Sequence, residues 1–368
     1  MRKIVQMSLE VGLLDNKANN PRCQQLREAY AYVDDALSER VSSPAKLAEA
    51  LVVGDFPTYF GRTIGARVMQ RYEYVTSDWK TYTYADTVPG YLTVPRYRFS
   101  EFDRPVLRRE KEEAYTGSIN EQGVVTLAVD DYAKQLDFSN RILVDDDLGA
   151  FDDLALKMGD SARMFEDFYV SSLYDNAVTQ AALIALGANY AGTGRLTTAN
   201  LAIAINAFTQ RVDARGNILR LTPKYLVIPP ILRLTANQIL QSDRIAELAT
   251  NGINPLKGSL TVIEDPYIAV APPNVPWYLF CAPTAIQAVT VVRRQGIAGP
   301  RLFAKAPDKM PMTTSGSLGA ADWRAGSFLT GDIELMIETT IGSRNNAAGT
   351  LVGVTDANGI YYSNGTTP

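Results

Sequence analysis

Apolar residues recur at three- and four-residue steps through residues 21–53, where Leu26, Ala29, Val33 and Leu37 share one stripe, and this spacing predicts a helix. Ser43-Pro44 restarts a second short helix, with Ser43 as N-cap and Pro44 at its first position. From Tyr72 to Tyr91 the pattern changes to Tyr, Trp and Thr, the chemistry of a strand or an extended arm rather than a helix. An arm of this kind cannot bury both faces against itself, so it is expected to lie on something else.

The segment 96–144 reads as a long hairpin. Its outgoing run is 92–99, and on the return Leu136, Phe138, Ile142 and Val144 alternate with Gln135, Asp137, Ser139 and Arg141. Gly117 and Gly123 act as turn signals, and the middle carries charges of both signs. Arg96, Arg98, Arg104, Arg108, Arg109 and Lys111 stand against Glu101, Asp103, Glu110, Glu112 and Glu113. Two outcomes fit such a run: a solvated surface hairpin, or an arm that pairs with complementary charges on a neighbour.

A strong helix follows the aspartates at 145–147. Phe151, Leu154, Met158, Phe165, Phe168 and Ser172, with Ala162 and Leu173 beside them, hold one face over its length, weakened locally by Gly149 and Gly159. From Leu196 helices and strands alternate. Thr197 or Thr198 caps a helix bearing Leu201, Ala204, Ile205, Phe208 and Val212, and 213–217 is a turn. Tyr225 to Ile228 is a buried strand, Pro229-Pro230 opens a helix through Leu240, and strands are expected at 259–264, 277–282 and 288–294. In 332–341, Ile333, Leu335 and Ile337 face one way and Glu334 and Glu338 the other, as in a half-buried strand. The stretch 343–368, rich in Gly, Asn and Thr, reads as turns and loose strand.

Composition removes most chemistry. The chain of 368 residues is 46% hydrophobic and 21% charged, long enough for two domains with sizeable cores. Its 36 basic and 40 acidic residues give a net charge of −4, unlike a dedicated nucleic-acid binder. It has no histidine, which excludes His-based triads and imidazole zinc sites. Cys23 and Cys281 are too few for a Cys₄ site or a disulfide framework and are expected to stay reduced and unpaired. Glu10 and Asp15 interrupt any apolar signal region, and no run reaches about 18 apolar residues, so neither a signal peptide nor a membrane helix is expected.

No phosphate-binding motif is present, and Gly192-Thr-Gly194 is read as a loop. Asp145, Asp146, Asp147, Asp152 and Asp153 lack EF-hand spacing and are read as favouring a helix N-terminus. Glu334 and Glu338, four apart on an alternating strand, are read as solvated surface rather than an acid/base pair. No catalytic, cofactor-binding or metal residue is nominated, and the chain is expected not to be an enzyme.

The order of segments resembles the major capsid protein of tailed double-stranded-DNA bacteriophages, the Hong Kong 97-type fold. The stretches that carry the resemblance are FSNRILVDDDLGAFDDLALKMGDSARMFEDFYVSSLYDN (138–176), LTTANLAIAINAFTQRVDARGNILRLTPKYLVIPPILRLTANQIL (196–240) and residues 331–341. It implies an α+β fold: an N-terminal arm (1–95), an extended hairpin loop (96–144), a peripheral domain with a spine helix (145–196 and 310–345), an α/β axial domain (197–309) and a C-terminal segment (346–368). It further implies a homo-oligomer of hexamers and pentamers closing an icosahedral shell around a phage genome. No cofactor or membrane is implied. Portal, scaffolding and decoration proteins are the expected further partners, packaged DNA is touched non-specifically, and assembly takes place in the bacterial cytoplasm before the protein resides in the virion. Arg104, Arg108, Arg109, Glu110, Lys111, Glu112 and Glu113 are the expected inter-subunit contacts. An encapsulin-like nanocompartment shell and a tail or baseplate protein remain the alternatives.

Overall fold

The computed structural model describes residues 68–74, 76–99, 105–111, 113–117, 121–139, 148–213, 215–244, 253–297, 299–305, 332–346 and 353–367. The expected helices within 21–53, Cys23, and the aspartates at 145–147 lie outside the described residues, as do the side chains of Asp152 and Asp153. The fold is mixed α+β. Its strands are β1 (Tyr84–Val88), β2 (Val94–Phe99), β3 (Glu121–Ser139), β4 (Ala191–Gly194), β5 (Pro223–Ile228), β6 (Thr261–Glu264), β7 (Trp277–Cys281), β8 (Thr290–Arg294), β9 (Arg301–Ala304), β10 (Asp332–Asn346) and β11 (Ile360–Thr367). Its α-helices are α1 (Leu148–Tyr174), α2 (Ala177–Ala185), α3 (Thr198–Thr209) and α4 (Arg233–Gln241). One sheet runs β1-β8-β10-β3-β2 with β9 also on β10, and a second runs β4-β11-β7-β5-β6.

The chain forms two compact units, with Met1–Thr76, Asp131–Met164 and Gly299–Thr339 in one and the remainder in the other. In the described part of the first unit, Val68, Tyr72, Met158, Ala162, Leu335 and Ile337 form the core, with Leu136 and Leu302 against it. The α1 stripe read from the sequence supplies Met158 and Ala162. Gly159 sits within it because a Cβ there would stand 2.7 Å from the Val68 carbonyl oxygen. Arg71 clamps the Asp160 carboxylate through Nε at 2.7 Å and Nη2 at 3.2 Å. Residues 68–74 are helical and Asp78–Thr81 is a 3₁₀ turn, which corrects the expectation of a strand or extended arm from Tyr72 to Thr81, while β1 bears it out at Tyr84–Val88. The aromatic residues there serve cores instead. Tyr72 is buried in this unit, and Trp79 and Tyr82 are buried in the other.

In the second unit the β4-β11-β7-β5-β6 sheet carries an apolar layer on each face. Leu226, Ile228, Trp277, Leu279, Cys281 and Tyr361 face α3 and α4, while Val227, Tyr278, Phe280, Ile360 and Tyr362 face the last turns of α1 and α2. Two-sided burial explains why β7 (WYLFC) is apolar throughout. Thr197 caps α3 by accepting from the Asn200 backbone N–H, and Asn176 caps α2 through Thr179. The turn at 213–217 is held by the Asp213 carboxylate, which accepts from the backbone N–H groups of Arg215 and Asn217.

Three expectations about strands are overturned here. Gly192-Thr-Gly194 is not a loop but edge strand β4, whose Gly194 carbonyl accepts from Trp277 Nε1 at 3.1 Å and Ser363 Oγ at 2.6 Å. The final stretch is not loose, since β11 runs between β4 and β7 and is buried. Its polar residues are tolerated because neighbours on both sides satisfy the backbone and Ser363 finds a carbonyl. Glu334 and Glu338 are not simply solvated. Lys305 Nζ lies 2.9 Å from Glu334 and Arg301 pairs with Glu338, both across the β9–β10 ladder.

Arg211 fastens β11 in place. It is 1% exposed. Its guanidinium donates to the carbonyls of Asn189 (2.8 Å from Nη2), Ala357 (3.3 Å), Asn358 and Ile360 (2.8 Å). It also stacks on Phe208 and Tyr190, 3.9 Å and 4.7 Å from the ring centroids. Burial lowers its pKa to about 10. Cys281 is free and buried, and burial raises its thiol to about 12.

Candidate functional site

The charged hairpin is the candidate site. Its base is built by alternation: Val125, Leu127 and Val129 of β3 point inward and pack with Val88, Val292 and Val94. β2 pairs antiparallel with β3 in the register Val94↔Leu127, Arg96↔Val125 and Arg98↔Gly123, with an irregularity before Phe99↔Glu121. The part of β3 that pairs with β2 is 121–127; the run read from the sequence lies further along the same strand as far as Ser139, its remainder (140–144) falls outside the described residues, and Gly123 lies within the strand rather than at a turn. Leu136 belongs to the other unit's core. The competing alternation at 124–129 is the one that a packed sheet face selects.

β2 is the edge strand of its sheet. Arg294 of β8 donates to the Tyr91 hydroxyl at 3.0 Å and lies over its ring, bracing the chain that leads into β2. Arg96 lies only 3.9 Å from Asp86 across open surface, a pair of small energetic weight.

Beyond the base, every described residue of 105–111 and 113–117 is exposed. Arg108, Arg109, Glu110, Lys111 and Glu113 all lie on this tip, with Glu110-Lys111 at a turn and Lys111 at φ +68°. Arg104 and Glu112 lie outside the described residues. The described charges are thus carried on one exposed segment. Sequence reasoning missed their apolar companions: Val106 is 66% exposed, Leu107 83% and Tyr115 69%. Their signal was present in RPVLRREKEEAY (104–115), where three large apolar residues sit among charges with no periodic partner. The surface can make contacts of both kinds, apolar anchoring and charge pairing, and neither is a catalytic chemistry.

A second cluster of ionisable groups, partly buried, lies in the second unit. Asp265 accepts from the hydroxyls of Ser171 and Tyr174 and, at 2.9 Å, from the Tyr267 backbone N–H. Asp175 accepts from Tyr278 at 2.6 Å, Gln180 at 2.7 Å and the Ala269 backbone N–H at 2.6 Å. Burial raises the phenols of Tyr82, Tyr174 and Tyr278. These groups tie the end of α1 to the segment between β6 and β7. Among the described residues no group of three or more Cys, Asp or Glu could hold a metal ion, and no helix is long and apolar enough to cross a membrane.

The sequence profile of the family described as phage capsid protein matches residues 123–331, more than half of the chain. The chain belongs to that family, and the resemblance drawn from its segment order is borne out. As a phage capsid protein it is a component of the virion, and its family assembles multimeric shells. Among solved structures it is similar to the capsid of Cyanophage P-SCSP1u (12% identity, TM-score 0.48, covering 80% of this chain and 89% of that one). It is also similar to a chain from Mycobacterium phage Cain (13%, TM-score 0.46, 82% and 90%). A further likeness is to the holo-SrpI encapsulin complex from Synechococcus elongatus (9%, TM-score 0.44, 83% and 89%). No curated protein matches the chain.

Proposed function

We propose that this capsid protein builds the shell by laying its hairpin tip, residues 105–117, on an adjacent subunit. The observation that carries the reading is the exposure of Val106, Leu107 and Tyr115 among Arg108, Arg109, Glu110, Lys111 and Glu113. Large apolar side chains on a projecting segment, flanked by both charge signs, fit a surface that an assembly covers. The apolar residues supply area, and the charges set register. Each exposed pair contributes about 0–1 kcal/mol, so the contact stays reversible until many copies act together.

In this reading the tip serves hexamers and pentamers of one icosahedral shell assembled in the host cytoplasm. The peripheral domain (145–196 and 310–345) holds α1, and the axial domain (197–309) holds α3, α4 and strands β5, β6 and β7. Portal, scaffolding and decoration proteins complete the set of partners. The net charge of −4 supports only loose contact with packaged DNA, because non-specific affinity follows the number of phosphates neutralised. The reading needs no catalytic group.

The test is deletion of 105–117, which leaves the buried base at Val94, Leu127 and Val129 untouched. The variant should show the parent's circular dichroism and fail to close shells in electron micrographs. Arg108→Glu with Arg109→Glu should weaken assembly most at low salt, where screening is least. Complete shells of normal size from the deletion variant would defeat the proposal.

A further inference from the structure

The chain carries Asn followed by Gly three times, at 251–252, 358–359 and 364–365, and the first pair lies outside the described residues. In this dipeptide the glycine nitrogen can reach the preceding side-chain amide carbon, because no Cβ crowds the approach. The fold treats the two described pairs in opposite ways. At Asn358-Gly359 the nucleophile and its surroundings are engaged. The Gly359 N–H donates to the Asp356 carbonyl at 3.1 Å, the Asn358 N–H donates to the Asp356 carboxylate at 3.0 Å, and the Asn358 carbonyl accepts from Arg211. The Asn358 side-chain oxygen accepts from the Tyr190 hydroxyl at 2.9 Å. A Cβ at Gly359 would stand 2.6 Å from that of Ala288, so the segment has no room to turn.

Asn364-Gly365 lies in an irregularity of β11. Ser363 is opposite Gly192 and Thr367 opposite Gly194, so residues 364–366 face Thr193 alone, and the pairing with β7 ends at Ser363. Gly365 is thus outside both ladders. Glycine is required there, since its φ is +65° and a Cβ would stand 2.2 Å from the Val275 carbonyl oxygen. The half-buried Asn364 turns its side-chain oxygen to Thr366, which donates to Oδ1 through its backbone N–H at 3.1 Å and its hydroxyl at 2.8 Å. The other acceptor near that hydroxyl, the Thr193 carbonyl, is more distant at 3.4 Å. The nucleophile stands outside the ladders, and two donors already point at the carbonyl oxygen it would attack.

We infer that Asn364 is a self-modifying site that deamidates through a succinimide in the folded protein, while Asn358 is protected. The Gly365 nitrogen attacks Cγ of Asn364. The N–Cγ bond forms as the Cγ–Nδ2 bond breaks, the Gly365 proton leaves with the departing nitrogen, and ammonia is released. Negative charge building on Oδ1 falls on the two Thr366 donors, as in an oxyanion hole. Water then opens the ring at either carbonyl, giving aspartate with the ordinary backbone or isoaspartate with the chain rerouted through the side chain. Nothing is oxidised or reduced, and water is the sole co-reactant. Either product turns a neutral amide into a carboxylate and moves the net charge by one unit, from −4 to −5. The isoaspartyl product also adds one backbone atom beside Ser363, whose hydroxyl holds the Gly194 carbonyl of β4 at 2.6 Å. The mark falls where β11 fastens the edge strand β4, and it is independent of the hairpin reading.

The test is peptide mass spectrometry on full-length protein held in warm, neutral buffer made with ¹⁸O-labelled water. Chymotryptic cleavage after Tyr362 places Asn358 and Asn364 on separate peptides. In the native protein, conversion at 364 should exceed that at 358 by about tenfold or more, with the heavy oxygen incorporated and the product methylated by an isoaspartyl methyltransferase. Urea-unfolded chain should lose the difference, since both sites are then the same dipeptide. Thr366→Val keeps the backbone donor and the branched shape; it should slow conversion several-fold at an unchanged melting temperature. Equal conversion at the two sites in the native protein, or a native Asn364 that stays intact while the unfolded chain converts, overturns the assignment. A Thr366→Val rate at or above the parent's overturns the part given to the hydroxyl. Shell assembly is not the readout, so failure here leaves the hairpin proposal untouched.

Discussion

Arg211→Met tests whether β11 is held by a buried cation. In the wild type one guanidinium, 1% exposed, donates to four carbonyls, three of which (Ala357, Asn358 and Ile360) lead into β11. Two opposing magnitudes decide the outcome. Burial lowers the guanidinium from 12.5 to about 10, which corresponds to a cost of ~3 kcal/mol for keeping the charged form inside. Methionine relieves that cost. It also leaves the carbonyls of Asn189, Asn358 and Ile360 facing an apolar side chain, while Ala357 keeps the Ile360 backbone N–H, at about 1–3 kcal/mol for each buried group left unsatisfied, and loses the stacking on Phe208. Summed, the carbonyls exceed the relief, and the expected net destabilisation is roughly 2–5 kcal/mol. Arg211→Lys should fail to rescue, because a point-like ammonium cannot span carbonyls contributed by residues 189 and 357–360. The assay is urea unfolding of the unassembled subunit, joined to hydrogen exchange of amides 357–367. Exchange there should rise before that of β5 and β7. A variant as stable as the parent, with β11 still protected, would refute the argument that the carbonyl clamp outweighs the desolvation of the cation.

Two further outcomes follow from the core. Gly342→Ala should destabilise by about 1–3 kcal/mol or more, since its Cβ would stand 1.9 Å from the Ala128 carbonyl oxygen, where two strand backbones meet and no flexible side chain can yield; an unchanged melting temperature would contradict it. Cys281, whose thiol rises from 9.0 to about 12 in the folded protein, keeps its proton in the native state while the unfolded chain releases it. Stability should therefore fall as pH rises above about 9, by up to ~1.4 kcal/mol per pH unit from this thiol on top of the share of the buried tyrosines, and Cys281→Ala should lessen the slope between pH 9 and 10 without abolishing it. An identical slope in the variant would count against the buried thiol as its source.

The sequence by itself determined what local periodicity and capping can specify. The α1 stripe, the Thr197 cap of α3, the Asp213 turn, the Pro230 helix start and the alternation of 332–341 were legible because each depends on neighbours within a turn or a strand's length. The absence of histidine and of motif spacing likewise reduced the chemistry without any structure. The charged tip was legible as a charge run, and its order among the other segments pointed to the capsid family that the comparison bears out. Pairing was decided only in three dimensions. Strand β3 carries both 124–129 and the start of the run read from the sequence at 135–139, and only the packing of Val125, Leu127 and Val129 against Val88 and Val292 decides that the first of these faces β2. Residues 360–367, the end of a stretch read as turns and loose strand, became an inner strand because β4 and β7 satisfy its backbone from both sides, which no local propensity can report. Tyr72, Trp79 and Tyr82 read as strand residues locally, but burying large aromatic surface decided their conformation. The stretch from 177 to 210, with Arg195 its single charged side chain, was a contiguous sequence fact, yet it became a surface only when the fold placed α2 and α3 on opposite faces of one sheet.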